Sequence, residues 1–280
     1  MRDIHVKEVG ETISSLCKEA NTCLPADVYA AIEKARQSET EDRAKKILKM
    51  LLENADLACR ERMAICQDTG QVVVFLKIGQ DVHFYGGLLL EAIQQGVRQA
   101  YKEGCFRTSV VEEPLRRDNT KDNTPAVIHT YIVPGEEVHI QVMPKGFGSE
   151  NMSRLAMMKP AEEKAGMVDF VVESVHKAGA NPCPPIVVGV GMGGTMEKAA
   201  LLSKEALLRP IGSANDKKEL QPIEEELLDK INEIGIGPQG LGGKTTALAV
   251  HIKTYPTHIA GLPVAVNFSC HATRHAERVL

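Results

Sequence analysis

The chain has 280 residues, enough to bury a substantial core, with 25% charged residues and a formal net charge of -4. That balance offers no basic field for nucleic acid and no polybasic segment for a membrane, and aromatic residues at 4% with no Trp leave no stacking platform for single strands. No run is long enough to span a membrane, and Met1-Arg-Asp-Ile-His-Val-Lys-Glu lacks a signal peptide's apolar core, so the expectation is a cytoplasmic protein with a small-molecule or protein partner, its seven Cys reduced, metal-bound or catalytic rather than a disulfide framework.

Apolar periodicity predicts three helices over 6–20, 26–37 and 41–62, punctuated by Pro25 and by Ser38 to Thr40. Cys17 and Cys59 follow the helical period and read as core residues. The stretch 63–70, Met-Ala-Ile-Cys-Gln-Asp-Thr-Gly, then places a thiol, an amide and a carboxylate together before a β-branched strand predicted over 72–78. On such a loop the Cys66 thiolate can meet a metal while Asp68 handles a proton; the plainer reading makes Cys66 a small buried hydrophobe and Gln67 to Gly70 a turn.

A helix over 86–102, closed by Gly104, leads into the polar, irregular segment 106–125. Within it Arg107 offers a guanidinium fork for a carboxylate, or else is a solvated surface cation. Two strands are predicted over 126–133 and 137–143, joined as a hairpin by Pro134-Gly135-Glu136. Beyond them Pro144-Lys-Gly-Phe-Gly-Ser-Glu-Asn-Met152 is either a backbone cradle for an anion or a plain turn.

After a helix over 160–180, Asn181-Pro-Cys-Pro-Pro185 runs into a strand over 186–190; three prolines around Cys183 fix the backbone that carries the thiol. Gly189-Val-Gly-Met-Gly-Gly194 fits G-x-G-x-x-G, but no βαβ pattern continues after the helix over 196–208, which argues against a dinucleotide site. A helix is predicted over 219–234. In Gly237-Pro-Gln-Gly-Leu-Gly-Gly-Lys-Thr245 the position of a phosphate loop's first Gly is Pro238, so nucleoside triphosphate binding is rejected and the glycines are read as points of close approach. Two strands over 246–252 and 262–268 flank a loop holding His258, and Cys270 follows the last, among polar residues.

Cys66, Cys183 and Cys270 thus all stand at strand junctions, with separations that match no zinc-finger or ferredoxin spacing. Ile-Cys-Gln-Asp-Thr-Gly70, Gly-Ser-Glu-Asn-Met152, Asn-Pro-Cys-Pro-Pro185 and Ser-Cys-His-Ala-Thr-Arg-His275 together resemble the iron–sulfur hydro-lyases of the class I fumarase and L-tartrate dehydratase family, over essentially the whole chain and in particular its separate α subunits. The resemblance implies a 4Fe-4S cluster held by Cys66, Cys183 and Cys270, with one iron left open as a Lewis acid. It also implies a substrate site of Gln67, Arg107, Gly148 and His258, with Asp68 moving the proton of the leaving hydroxyl. The reaction implied is reversible dehydration of (S)-malate to fumarate, a step of the tricarboxylic acid cycle, with L-tartrate as the alternative substrate. A β subunit, in a heterotetramer, is expected to complete the site. A cluster-binding module without turnover, or a structural metal site with His271 as fourth ligand, are the competing readings.

The fold expected is α+β: an N-terminal helical layer followed by mixed strands and helices, a single cluster-binding α domain over 1–280 with the three Cys loops at one edge.

Overall fold

The computed structural model describes every residue from Met1 to Leu280. In chain order the elements are β1 (Arg2–His5), α1 (Val6–Thr22), α2 (Ala26–Ser38), α3 (Asp42–Glu61), β2 (Gln71–Gly79), β3 (Val82–Tyr85), α4 (Leu89–Glu103), β4 (Val127–Val133) and β5 (Val138–Lys145). The short α5 (Phe147–Glu150) follows, then β6 (Arg154–Met158), α6 (Glu163–Ala178), β7 (Ile186–Gly193), α7 (Met196–Ala206), α8 (Gln221–Glu233), β8 (Ala247–Tyr255), β9 (Leu262–Phe268) and β10 (Ala276–Val279). The fold is α+β, as expected, and the three N-terminal helices lie within a residue or two of their predicted bounds. No helix is long and apolar enough to cross a membrane.

The chain divides into two compact units, each with its own apolar core. The first comprises Met1–Pro25, Asn54–Phe147 and Arg274–Leu280. Its main sheet has the order β10-β5-β2-β4, with α1 and α4 packed together over it. Val72, Val74 and Leu76 of β2 meet Ile13, Leu16, Ile93 and Val97 in that core, all buried. Gly10 and Gly96 permit the helices' contact: a Cβ on Gly96 would strike the Gly10 carbonyl oxygen.

The expected hairpin between β4 and β5 is absent. β2 lies between them, parallel to β4 and antiparallel to β5, so their connection passes over the end of β2. Gly79 permits that crossing, because a Cβ there would collide with the Gly135 carbonyl oxygen; its N–H donates to Glu137 O at 2.8 Å. β1, β3, β6 and β10 were not anticipated: each has only four or five residues. β1 and β3 pair with each other in parallel.

A second correction concerns thiols. Cys23 and Cys59 form a disulfide, so not all seven Cys are reduced, and Cys59 is exposed rather than in the core. Cys23 caps α1 and Cys59 lies in the last turn of α3; Ile65 N–H donates to Asn21 O at 2.9 Å, which draws the two helix ends together. Cys17 is buried, as expected.

The second unit comprises Ala26–Glu53 and Gly148–Thr273, with a sheet of order β6-β9-β7-β8. β7 runs parallel to β8 and antiparallel to β9, and β6 antiparallel to β9. The first two glycines of the dinucleotide-like motif, Gly189 and Gly191, lie within β7 itself, and Gly194 follows its end. A Cβ on Gly189 would strike Ser203 O and one on Gly191 would strike Ala199 O, so these glycines let α7 lie directly on the strand.

Candidate active site

In the first unit the loop from α3 to β2 carries Cys66, Gln67 and Asp68, and its conformation is heavily fixed. Asp68 Oδ1 accepts the Gly70 N–H at 3.0 Å, an Asx turn, and Oδ2 accepts the Phe147 N–H at 2.8 Å. Gly70 adopts φ 74°, and a Cβ there would meet the Lys145 backbone at 2.7 Å. Tyr101 Oη donates to Thr69 O at 2.6 Å, and burial holds that hydroxyl protonated by pushing its pKa up. Asn123 Nδ2 donates to Gly70 O at 3.0 Å while its Oδ1 accepts Ser109 N–H at 2.7 Å.

Arg107 reaches the same loop through its backbone: Thr69 Oγ1 donates to Arg107 O at 2.7 Å, and the guanidinium is left on an exposed residue. Cys66 Sγ donates to Gln67 Oε1 at 3.4 Å. The first unit therefore brings together Cys66, Gln67, Asp68 and Arg107. The anion cradle read at 144–152 is partly committed inside the protein, since its Phe147 N–H is taken by Asp68.

In the second unit sheet topology gathers another group. Cys183 precedes β7, Cys270 follows β9, and the two strands are antiparallel neighbours, so both Cys stand at one end of the sheet. His271 N–H donates to Cys183 O at 3.1 Å and joins the two loops. Cys183 adopts φ 55° between its prolines, and its N–H donates to Ala180 O. Gly148 lies at this end too: a Cβ on it would be 3.3 Å from Asn181 O, and Asn267 Nδ2 donates to Ser153 Oγ at 2.8 Å.

The glycine-rich segment braces the Cys183 loop. Gln239 donates to Pro184 O from its backbone at 2.7 Å and from Nε2 at 2.8 Å, and the missing Cβ of Gly240 admits Ala180. The expected close approaches are therefore to neighbouring chain segments. His271 Nδ1 faces Cys183 O at 3.2 Å and Gln239 Nε2 at 3.1 Å, so that ring nitrogen is engaged within the loop pair.

His258 is placed elsewhere. It lies in the β8–β9 connection, at the opposite end of the sheet from Cys183 and Cys270, with Ala260 N–H donating to its Nδ1 at 3.2 Å. The eight residues of β7 separate the two ends by roughly 25 Å.

An iron–sulfur cluster is held by thiolates, and the donor set fits that chemistry: Cys66, Cys183 and Cys270 lie outside any disulfide and none is buried. Neither unit by itself gathers three His, Cys, Asp or Glu side chains arranged to hold a metal ion. Sequence reasoning missed Asn21, Tyr101, Asn123 and Arg274, which support the Asp68 loop from distant parts of the chain. Only Arg274 carried a signal, as a basic residue inside the Ser-Cys-His-Ala-Thr-Arg-His motif.

Comparison with known proteins gives a consistent result. Residues 10–279 match the family described as Fumarate hydratase (Fumerase). A Methanocaldococcus jannaschii protein provisionally named L(+)-tartrate dehydratase subunit alpha is 42% identical over 275 residues, covering 96% of each chain. The L(+)-tartrate dehydratase subunit alpha of Escherichia coli K12 is 32% identical over 272 residues, covering 96% of this chain and 89% of its own.

Proposed function

This chain belongs to the fumarate hydratase family of hydro-lyases, and on that premise we propose that it is an α subunit that dehydrates a 2-hydroxy dicarboxylate, (S)-malate to fumarate, with a 4Fe-4S cluster and a β subunit. The observation that carries the reading is the meeting of Cys183 and Cys270 at one sheet end, on loops joined by a backbone hydrogen bond, in a chain whose other unit presents Cys66 beside Asp68. All 280 residues are taken as one functional α domain, cytoplasmic, working in a heterotetramer.

Cys66, Cys183 and Cys270 would hold the cluster, which when bound supplies a Lewis-acidic iron for the substrate hydroxyl. The remaining chemistry falls to side chains. Both Asp68 oxygens already accept one backbone N–H, which fixes the carboxyl group while leaving lone-pair capacity to carry a proton and give it to the departing hydroxyl, which leaves as water. Arg107, held to the same loop through its carbonyl, clamps a substrate carboxylate, and Gln67 offers an amide beside it. Gly148 presents backbone without a side chain. The assignment of His258 to the substrate site rests on the family resemblance alone.

L(+)-tartrate is the second reading, favoured by the names of both relatives. The discriminating experiment purifies the chain anaerobically with its β subunit and measures iron, acid-labile sulfide and kcat/KM for both substrates. About four irons with matching sulfide and a higher kcat/KM for malate are expected. A single zinc, or a preference for tartrate, would overturn the cofactor or the substrate respectively.

A further inference from the structure

Arg274 is 4% exposed, yet it hydrogen-bonds only neutral acceptors: Nη2 donates to the Asp68 main-chain carbonyl at 2.7 Å and Nη1 to Asn21 Oδ1 at 3.3 Å. Its Nε is buried with no acceptor. A guanidinium placed in the interior without a carboxylate and with one donor unmatched is costly, so it calls for a return beyond packing.

The contacts show what that return is. Asn21, fully buried, accepts the Ile65 N–H at 2.9 Å with its own carbonyl and reaches Asp68 through Arg274. Ile65 and Asp68 are the two ends of the short segment that carries Cys66 and Gln67, so one buried asparagine fixes both ends. Thr69 and Gly70 are held independently by Tyr101 and Asn123, so the turn after Asp68 does not depend on the guanidinium. What the guanidinium adds is a hold on the Asp68 main-chain carbonyl, and through it on the bond from Phe147 N–H to Asp68 Oδ2, while Gly70 N–H ties Oδ1 to the turn. Gly146 leaves room for this: a Cβ there would lie 3.2 Å from Asp68 Oδ2 and 3.5 Å from Arg274 Nη2.

We infer that Arg274 is a positioning residue for Asp68, holding the carboxylate where it meets the substrate while never touching substrate itself. The inference rests on the role proposed above for Asp68. A carboxylate displaced by a fraction of an ångström still leaves substrate bound but loses the aligned proton transfer, so the effect belongs in kcat rather than KM.

The test uses the cluster-loaded enzyme with its β subunit and three variants, Arg274→Met, Arg274→Lys and Asp68→Asn. For Arg274→Met, kcat should fall about 100-fold with KM within about twofold, iron content should be unchanged, and hydrogen exchange at the Phe147 amide should speed up about tenfold. Arg274→Lys, which can reach one of the two acceptors, should recover part of both effects. Wild-type kcat in folded Arg274→Met, or unchanged Phe147 exchange with kcat and KM falling together, would overturn the inference. Should Arg274→Met fail to fold, the same two readouts on Arg274→Lys decide it. Turnover retained in Asp68→Asn would instead remove the proposed role of Asp68, while Phe147 exchange in the Arg274 variants would still report whether Arg274 positions it.

Discussion

His251 illustrates how a single side chain links packing to pH. It is 2% exposed on β8, Nδ1 pairs with Ala206 O at 3.1 Å, and burial, helped by the Arg209 charge, pushes its pKa down from 6.5 to about 4. Facing a carbonyl, Nδ1 carries the proton, so the ring is neutral at pH 7. The folded pKa lies below the unfolded value, so below pH 6.5 the unfolded chain takes up a proton that the folded chain refuses. Stability is therefore unaffected above that pH and falls progressively as pH drops from 6.5 towards 4, by up to about 3 kcal/mol. Urea unfolding at a series of pH values should show this loss in the wild type and a markedly smaller one in His251→Gln. Equal pH dependence in the two would show that other groups dominate. The neighbouring Glu224 bonds Arg209, Asn215 and the Ile252 N–H, and so anchors α8 to β8.

At the scale of elements, the most revealing contact is that of α7 with β7. Two glycines on the strand replace side chains with helix backbone, so the helix and sheet sit closer than any larger residue allows. Gly191→Ala sets a Cβ against the Ala199 carbonyl, which cannot rotate away as a flexible side chain would. We expect a loss of about 3 kcal/mol, at the upper end of the usual cost of overpacking, read as a lowered urea midpoint with unchanged slope. Gly212→Ala is the control at another glycine: no atom lies within 4 Å of its would-be Cβ, although φ 86° adds some backbone strain. An equal loss at both positions would point to backbone conformation rather than contact with α7. The same reasoning explains why Gly189 and Gly191 of a motif resembling a dinucleotide fingerprint are found in a strand interior, where they serve packing.

For the whole molecule, the consequence of the proposed function is that this chain does not turn over substrate alone. Dehydration needs a proton removed from the carbon beside a carboxylate as well as activation of the hydroxyl. The first unit places one candidate acid–base group, Asp68, on the Cys66 loop and one candidate carboxylate clamp, Arg107, on a segment bonded to that loop, whereas a dicarboxylate has two anionic ends. The second base and further cations are assigned to the β subunit. Cluster-loaded α chain should therefore show no malate turnover until the β subunit is added; full turnover by the α chain alone would refute the divided site.

Much of this could be read in the sequence because it is local. Apolar period and the Pro and Gly punctuation set α1 to α3 and the strands β8 and β9, and the four short motifs carried the family, since each is a continuous stretch. What the sequence did not determine was anything closed by contacts between distant segments. β2 inserts between β4 and β5, which replaces the hairpin that Pro134-Gly135-Glu136 suggested. Cys23 and Cys59 pair because two helix ends meet, and no period encodes that meeting. Arg274 supports Asp68 although the whole middle of the chain lies between them, and His258, near Cys270 in sequence, is carried to the far end of its sheet by the reach of β9. Local preference fixes dihedral angles residue by residue, whereas strand order and side-chain meetings follow from how buried surfaces fit once the chain has collapsed, a choice that only the tertiary structure makes.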